Sequence, residues 1–131
     1  IHKANANAGW NFQWDWNERL QFTIYKKDEH YSWHSDQNSN LYKEKNKHFN
    51  GKIRKLSLTL QLTDKKKYEG GDFQFKWIKD KKDLVEVVTV DDAKDIGTII
   101  VFPSFIYHQV SPVTKGKRES LVNWSIGKPF V

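Results

Sequence analysis

A mainly β fold, closed into a sandwich or a small barrel, is what the sequence predicts, and three observations predict it. Apolar and polar residues alternate with period two in several short segments. Turn-forming residues separate those segments at close intervals. Nothing after residue 20 carries a helical period.

Leu20 to Tyr25 is the first strand, with Leu20, Phe22 and Ile24 on one face and Gln21, Thr23 and Tyr25 on the other. The stretch from Arg54 to Asp64 alternates most cleanly: Leu56, Leu58, Leu60 and Leu62 share one face, and Ser57, Thr59, Gln61 and Thr63 the other. Gly70 and Gly71 open a further alternating stretch that runs to Trp77. The segments 84–90 and 97–103 are short and β-branched, and 118–126 alternates again. Turns are expected at Asp64–Lys67, Gly70-Gly71, Asp91-Asp92, Pro103-Ser104, Pro112 and Gly116. The polar stretch from Gln37 to Lys52 is too long for a hairpin turn and reads as a lid or a disordered loop. If a barrel interior takes the polar face of 54–64, its leucines point outward and need a covering layer, which residues 1–19 or a helical portion before them would supply.

The 131 residues suffice for one domain with one core, and six tryptophans supply apolar area despite a polar average. There is no cysteine, which excludes a disulfide scaffold, thiolate zinc sites and cysteine nucleophiles. No run of about eighteen apolar residues would make a membrane helix, and no signal-peptide pattern opens the chain; the cytoplasm is the expected compartment. Methionine is absent even at position 1, so an N-terminal segment is expected to be missing. The formal charge of +6 comes largely from short runs such as Lys65-Lys66-Lys67 and Lys79–Lys82. These read as solvated loops, without the basic and aromatic groove that nucleic acid requires. Oligomeric state is not encoded in any recognisable pattern.

Candidate chemistry begins at "HYSWHSD", residues 30–36. On an extended strand, residues i and i+2 project to one side, so His34 and Asp36 would present an imidazole and a carboxylate to one point. His108 lies just beyond the Phe102-Pro103 turn and is placed to complete a set of two histidines and one carboxylate, which leaves coordination positions open and suits non-haem iron(II). Arg118 shares a strand face with Ser120, Val122 and Trp124. An arginine on such a face is half buried and needs an anionic partner, yet its own face offers no acid. A bound dicarboxylate would satisfy it through a bidentate contact, with the Ser120 hydroxyl adding to the same oxygens.

Together "WHSD", "YEGGDF", "GTIIVFPS", "HQVSPV" and "GKRESLVNW" resemble, in order, the motifs of the iron(II)- and 2-oxoglutarate-dependent oxygenases, in their prolyl 4-hydroxylase-like branch, over roughly residues 20 to 130. The resemblance implies a double-stranded β-helix, a jelly-roll barrel of the cupin-like kind, with the metal inside one open end and helices buttressing the larger sheet. It implies that His34, Asp36 and His108 ligate iron(II), that Arg118 binds the distal carboxylate of 2-oxoglutarate, and that Tyr25 hydrogen-bonds the same cosubstrate. Ser120 joins these cosubstrate residues. Gln61 stands where some relatives carry a cosubstrate-contacting tyrosine. Tyr31 and Trp124 are expected to line the substrate cleft, although strict alternation would turn Tyr31 away from the metal unless a bulge intervenes. Iron(II), 2-oxoglutarate and O2 are the implied cofactors, with ascorbate as a reductant.

The substrate that the resemblance implies is a prolyl residue in a peptide or protein, with a free amino acid or other small molecule as the alternative. Two readings of other classes stand beside it. A metal-dependent hydrolase would use the same three ligands but needs a general base and has no use for Arg118. A cupin-like binding module would have lost catalysis altogether. His30, His2 and His48 are read as surface histidines, and Trp10, Trp14, Trp16, Trp33 and Trp77 as packing residues.

Overall fold

The computed structural model describes residues 1–79 and 84–131; the basic run that starts at Lys79 therefore lies, from residue 80 to 82, outside the described residues. Helix α1 spans His2–Asn7, and the strands follow as β1 (Trp16–Asn17), β2 (Gln21–Tyr25), β3 (Tyr31–His34), β4 (Ile53–Gln61), β5 (Tyr68–Gly70), β6 (Phe73–Ile78), β7 (Val85–Thr89), β8 (Ile99–Pro103), β9 (Tyr107–Val110), β10 (Val113–Gly116) and β11 (Arg118–Gly127). One sheet runs β1-β11-β4-β8, with β2 pairing the first half of β11. A second sheet runs β3-β9-β6-β7, and β5 pairs with β10. Every pairing is antiparallel. This is the jelly-roll arrangement, two antiparallel sheets facing each other.

The polar face of β4 is the interior one. Ser57, Thr59 and Gln61 are buried, whereas Leu58 and Leu60 are only half buried. Register extends this polar face across the sheet: Tyr25 pairs with Arg118, Thr23 with Ser120, and Ser120 in turn with Gln61. A polar interior is tolerable only where it faces a ligand or water, since buried polar groups must find partners. The apolar core lies deeper between the sheets, where Phe73, Ala93, Phe102 and Val110 cluster with Phe75 and Ile100 against them.

The outer face of the same sheet keeps an apolar surface, with Phe22 at 54% exposure and Ile99 at 57%. Helix α1 has six residues and packs on its own continuation: the Asn5 amide donates to the Phe12 carbonyl and its oxygen accepts from the Phe12 N–H, each at 2.9 Å. Phe12 then reaches the Phe130 ring at 4.8 Å. Short strand β1 continues from there along the C-terminal half of β11.

The loop from Gln37 to Lys52 is closed on itself. Gly51 N–H donates to Tyr42 O (2.8 Å) and Tyr42 N–H to Lys52 O (3.0 Å). His48, expected on the bare surface, stacks on Trp16 at 3.8 Å between ring centroids. Among the described residues no helix is long and apolar enough to cross a membrane.

The glycine pair has a steric cause. Gly70 sits at φ +73°, and a Cβ there would meet the Pro112 carbonyl oxygen at 2.3 Å. Both the left-handed backbone and the contact with fixed backbone oppose a side chain. Gly70→Ala is therefore expected to destabilise the fold by roughly 3 kcal/mol, a fall in Tm of about 10 °C by thermal denaturation. An unchanged Tm would mean that the β5–β10 pair can shift to make room.

Candidate metal centre

Strand pairing brings the ligands together. His34 closes β3 directly opposite His108 on β9, with ring centroids 4.2 Å apart. Asp36 lies two residues past the end of β3. Its N–H and that of Gln37 both donate to the Ser104 carbonyl at 2.9 Å, which turns the carboxylate inward. Asp36 Oδ1 then stands 3.2 Å from His34 Nε2 and 3.4 Å from His108 Nε2.

The imidazoles are held by backbone. His34 Nδ1 lies 2.6 Å from Ser32 O and His108 Nδ1 2.8 Å from Ile106 O, so each Nδ1 carries the proton and donates it to that carbonyl. Each Nε2 is thereby left as a lone pair aimed at the common point. His34 Nε2 is buried and has no hydrogen-bond partner. An orphaned buried lone pair beside a carboxylate and a second imidazole is what a divalent cation would satisfy. All the ligating atoms lie within 4.8 Å of one another. Without a metal, burial pushes the Asp36 carboxyl up, but hydrogen bonding and charge from His108 and His34 in their protonated form, with the Ser57 hydroxyl, outweigh it and hold the group well below the usual carboxylate range. Its second oxygen, Oδ2, accepts from Ser57 Oγ (2.7 Å) and Trp124 Nε1 (2.9 Å).

The other end of the same cavity is cationic. Arg118 is only 3% exposed, and among the described residues no carboxylate forms an ion pair with it. Burial lowers its affinity for the proton, offset in part by the hydroxyls of Tyr68 and Tyr25, yet a guanidinium remains charged throughout the physiological range. Its carbon lies 5.7 Å from the centre of the Tyr25 ring. Burial raises the Tyr25 hydroxyl further above its ordinary value than Arg118 lowers it, so it stays protonated and can donate. A cavity of about 70 Å³ connects Arg118 with His34, Asp36 and His108, room for more than a single water.

Tyr25, Ser120, Tyr31 and Trp124 line that same cavity. Tyr31 gets there by a register shift between Tyr31 and His34, which turns its ring onto His34 at 3.7 Å between centroids. Gln61 does not line it. β4 ends at Gln61, and the turn that follows draws the side chain aside, so Nε2 donates to Thr63 O (2.9 Å) and Tyr68 Oη (3.0 Å). The contact between Gln61 and a cosubstrate expected from the sequence is thus not seen as a cavity-lining position; its Nε2 braces Tyr68, which stands beside Arg118, while its Oε1 is buried without a partner. Ser104 and Tyr68 escaped the sequence reading. Ser104 looked like turn punctuation after Pro103, whereas its Oγ lies 2.9 Å from Ser57 Oγ. Tyr68 sits in a three-residue strand with no visible period.

Residues 20–126 match the family model described as the 2OG-Fe(II) oxygenase superfamily. A PKHD-type hydroxylase of Pseudoalteromonas atlantica is 32% identical over 104 residues, 79% of this chain and 41% of that protein. Another, of Gloeothece citriformis, is 38% identical over 69 residues, 53% of this chain and 28% of that protein. This chain thus spans less than half the length of the curated relatives it matches. Among solved structures, a prolyl-4-hydroxylase of Pseudomonas putida superposes with a TM-score of 0.61 at 21% identity, covering 94% of this chain and 59% of that one. A viral collagen prolyl hydroxylase from Paramecium bursaria Chlorella virus-1 does so with a TM-score of 0.59 at 16% identity, covering 98% and 67%; at such identities these two likenesses concern the fold. The family model covers most of the chain and includes all the residues gathered around the cavity, so this chain belongs to the 2OG-Fe(II) oxygenase superfamily.

Proposed function

We propose that the chain is the catalytic part of an iron(II)- and 2-oxoglutarate-dependent hydroxylase acting on a prolyl residue in a peptide or protein. One observation carries the reaction class: a single cavity has His34, with its orphaned Nε2, Asp36 and His108 at one end and the buried Arg118, with no carboxylate partner among the described residues, at the other. A hydrolase needs only the first of these. The substrate class is supported by the PKHD-type hydroxylase relatives and by the prolyl hydroxylases among the structural neighbours.

In this reading His34 and His108 offer Nε2, and Asp36 offers Oδ1, to iron(II). Arg118 pairs with the distal carboxylate of 2-oxoglutarate in a low-dielectric site, where the pairing is strong because each charge would otherwise be buried alone. Tyr25 donates its hydroxyl proton to the same carboxylate, and Ser120 adds a second hydroxyl beside it. Phe73, Phe102 and Val110 wall the cavity with apolar surface that excludes water. Tyr31 stands at the mouth, 53% exposed, where a prolyl ring would pack. When bound, the iron with 2-oxoglutarate and O2 supplies the oxidising power that hydroxylates an unactivated C–H bond, with release of succinate and CO2.

Anaerobic titration of the iron(II)-loaded protein with 2-oxoglutarate tests the class, by the visible charge-transfer band of the chelated cosubstrate. The band is expected to grow and saturate; iron that binds while the band never appears would overturn the assignment. Proline-containing peptides that gain the mass of one oxygen atom during turnover would support the substrate. Stimulation of succinate release by a free amino acid, with none by peptides, would replace it with the small-molecule alternative.

A further inference from the structure

We propose that Glu18 and Arg54 are positioning residues for the metal site, acting through Trp124 to hold Asp36 as a ligand through one oxygen. The proposal rests on the reading of His34, Asp36 and His108 as metal ligands. Neither Glu18 nor Arg54 lines the cavity, so any influence on the metal passes through another side chain.

The connection is continuous. Glu18 is fastened to β11 at Trp124 itself: its N–H donates to Trp124 O (2.9 Å), and Asn123 Nδ2 donates to Glu18 O (2.7 Å). Its carboxylate takes Arg54 in a bidentate fork, with Arg54 Nε at 2.6 Å from Oε2 and Nη2 at 3.2 Å from Oε1. Both side chains are largely covered, at 15% and 25% exposure, so the pair is held better than a surface ion pair. Clamped in this way, the Arg54 guanidinium lies over the Trp124 ring at 3.8 Å from its centroid. The other edge of that ring presents Nε1–H to Asp36 Oδ2 at 2.9 Å.

A carboxylate can bind a metal through one oxygen or both. Here Oδ2 is already committed to two donors, Trp124 Nε1 and Ser57 Oγ, and only Oδ1 faces the imidazoles. Asp36 then occupies one coordination position and leaves the others for ligands from the cavity. If the Trp124 ring tilts, Oδ2 loses a donor and is free to turn toward the metal. Tyr42 Oη donates to Glu18 Oε1 at 3.0 Å, so the 37–52 loop is tied to the same carboxylate.

The test is titration of the metal-free protein with cobalt(II), followed by calorimetry and by the visible spectrum of the bound ion, which reports its coordination. Variants are Trp124→Phe, which keeps the ring and loses the N–H, Glu18→Ala, the double variant, and, as a remote control, Asp95→Ala, which removes the surface ion pair of Asp95 with Lys65. Trp124→Phe is expected to raise Kd about tenfold and to alter the spectrum, as removal of an outer hydrogen bond to a ligand does at other metal sites. Glu18→Ala should raise Kd several-fold, and the double variant should bind no more weakly than Trp124→Phe alone, because both changes interrupt one path. Wild-type affinity and spectrum in Glu18→Ala, or multiplying effects in the double variant, would overturn the proposal. Should Glu18→Ala fail to fold, the isosteric Glu18→Gln replaces it with the same expectations. If the wild-type protein takes up no cobalt, the ligand assignment itself fails, and this proposal with it.

Discussion

Arg118→Met should cost the protein its cosubstrate and not its fold. Among the described residues no carboxylate pairs with the wild-type guanidinium, which is 3% exposed, and a buried charge without an opposite charge destabilises the state that contains it. Replacing it with an apolar chain of similar length is expected to leave Tm unchanged or higher in the absence of 2-oxoglutarate. Binding moves the other way. Breaking a buried pair by removing one partner costs about 3–5 kcal/mol, which corresponds to a loss of roughly two to four orders of magnitude in affinity for 2-oxoglutarate. Thermal denaturation with and without the cosubstrate separates the two effects. If Arg118→Met is destabilised yet still binds 2-oxoglutarate, the guanidinium is a structural group and the anion site lies elsewhere.

Asp36→Asn is the second large effect. The amide keeps the shape of the side chain and the approach to Ser57 and Trp124, but removes the one negative charge among the ligands. Four-ligand metal sites bind with about 10–16 kcal/mol, roughly 3 kcal/mol per ligand, so the loss should reach a hundredfold or more in metal affinity. Wild-type protein should gain thermal stability as metal is added, by mass action on the folded state. Asp36→Asn should gain almost none at the same concentration. Equal metal-dependent shifts in the two proteins would remove Asp36 from the ligand set.

Period-two alternation needs length to be readable. β2, β4 and β11 span enough residues for their faces to be assigned, and the polar face of β4 could be named as the interior candidate before any coordinates. Strands β9 and β10 have four residues each, β5 three and β1 two, and none of them rises above the noise of a short mixed segment. Tyr31 shows the opposite limit. Alternation points it away from His34, and only a local register shift brings it back. Such a shift arises from how two strands share their hydrogen bonds, which neither strand encodes alone.

The sequence by itself determined the fold class and the chemistry that the interior offers: an alternating frame, a His-x-Asp pair, a distant histidine, and an arginine stranded on a polar face. These are local properties, set by residue type and spacing. Tertiary structure alone decided what each group touches. It placed His34 opposite His108, turned Gln61 toward Tyr68 instead of the cavity, and gave the Trp124 N–H to Asp36 rather than leaving the ring as a bare wall. It also drew Glu18 and Arg54, which no motif contains, into the support of the site. The physical reason is that spacing along a strand sets the side to which a residue points, whereas its hydrogen-bond partner depends on where other strands, distant in the chain, come to lie.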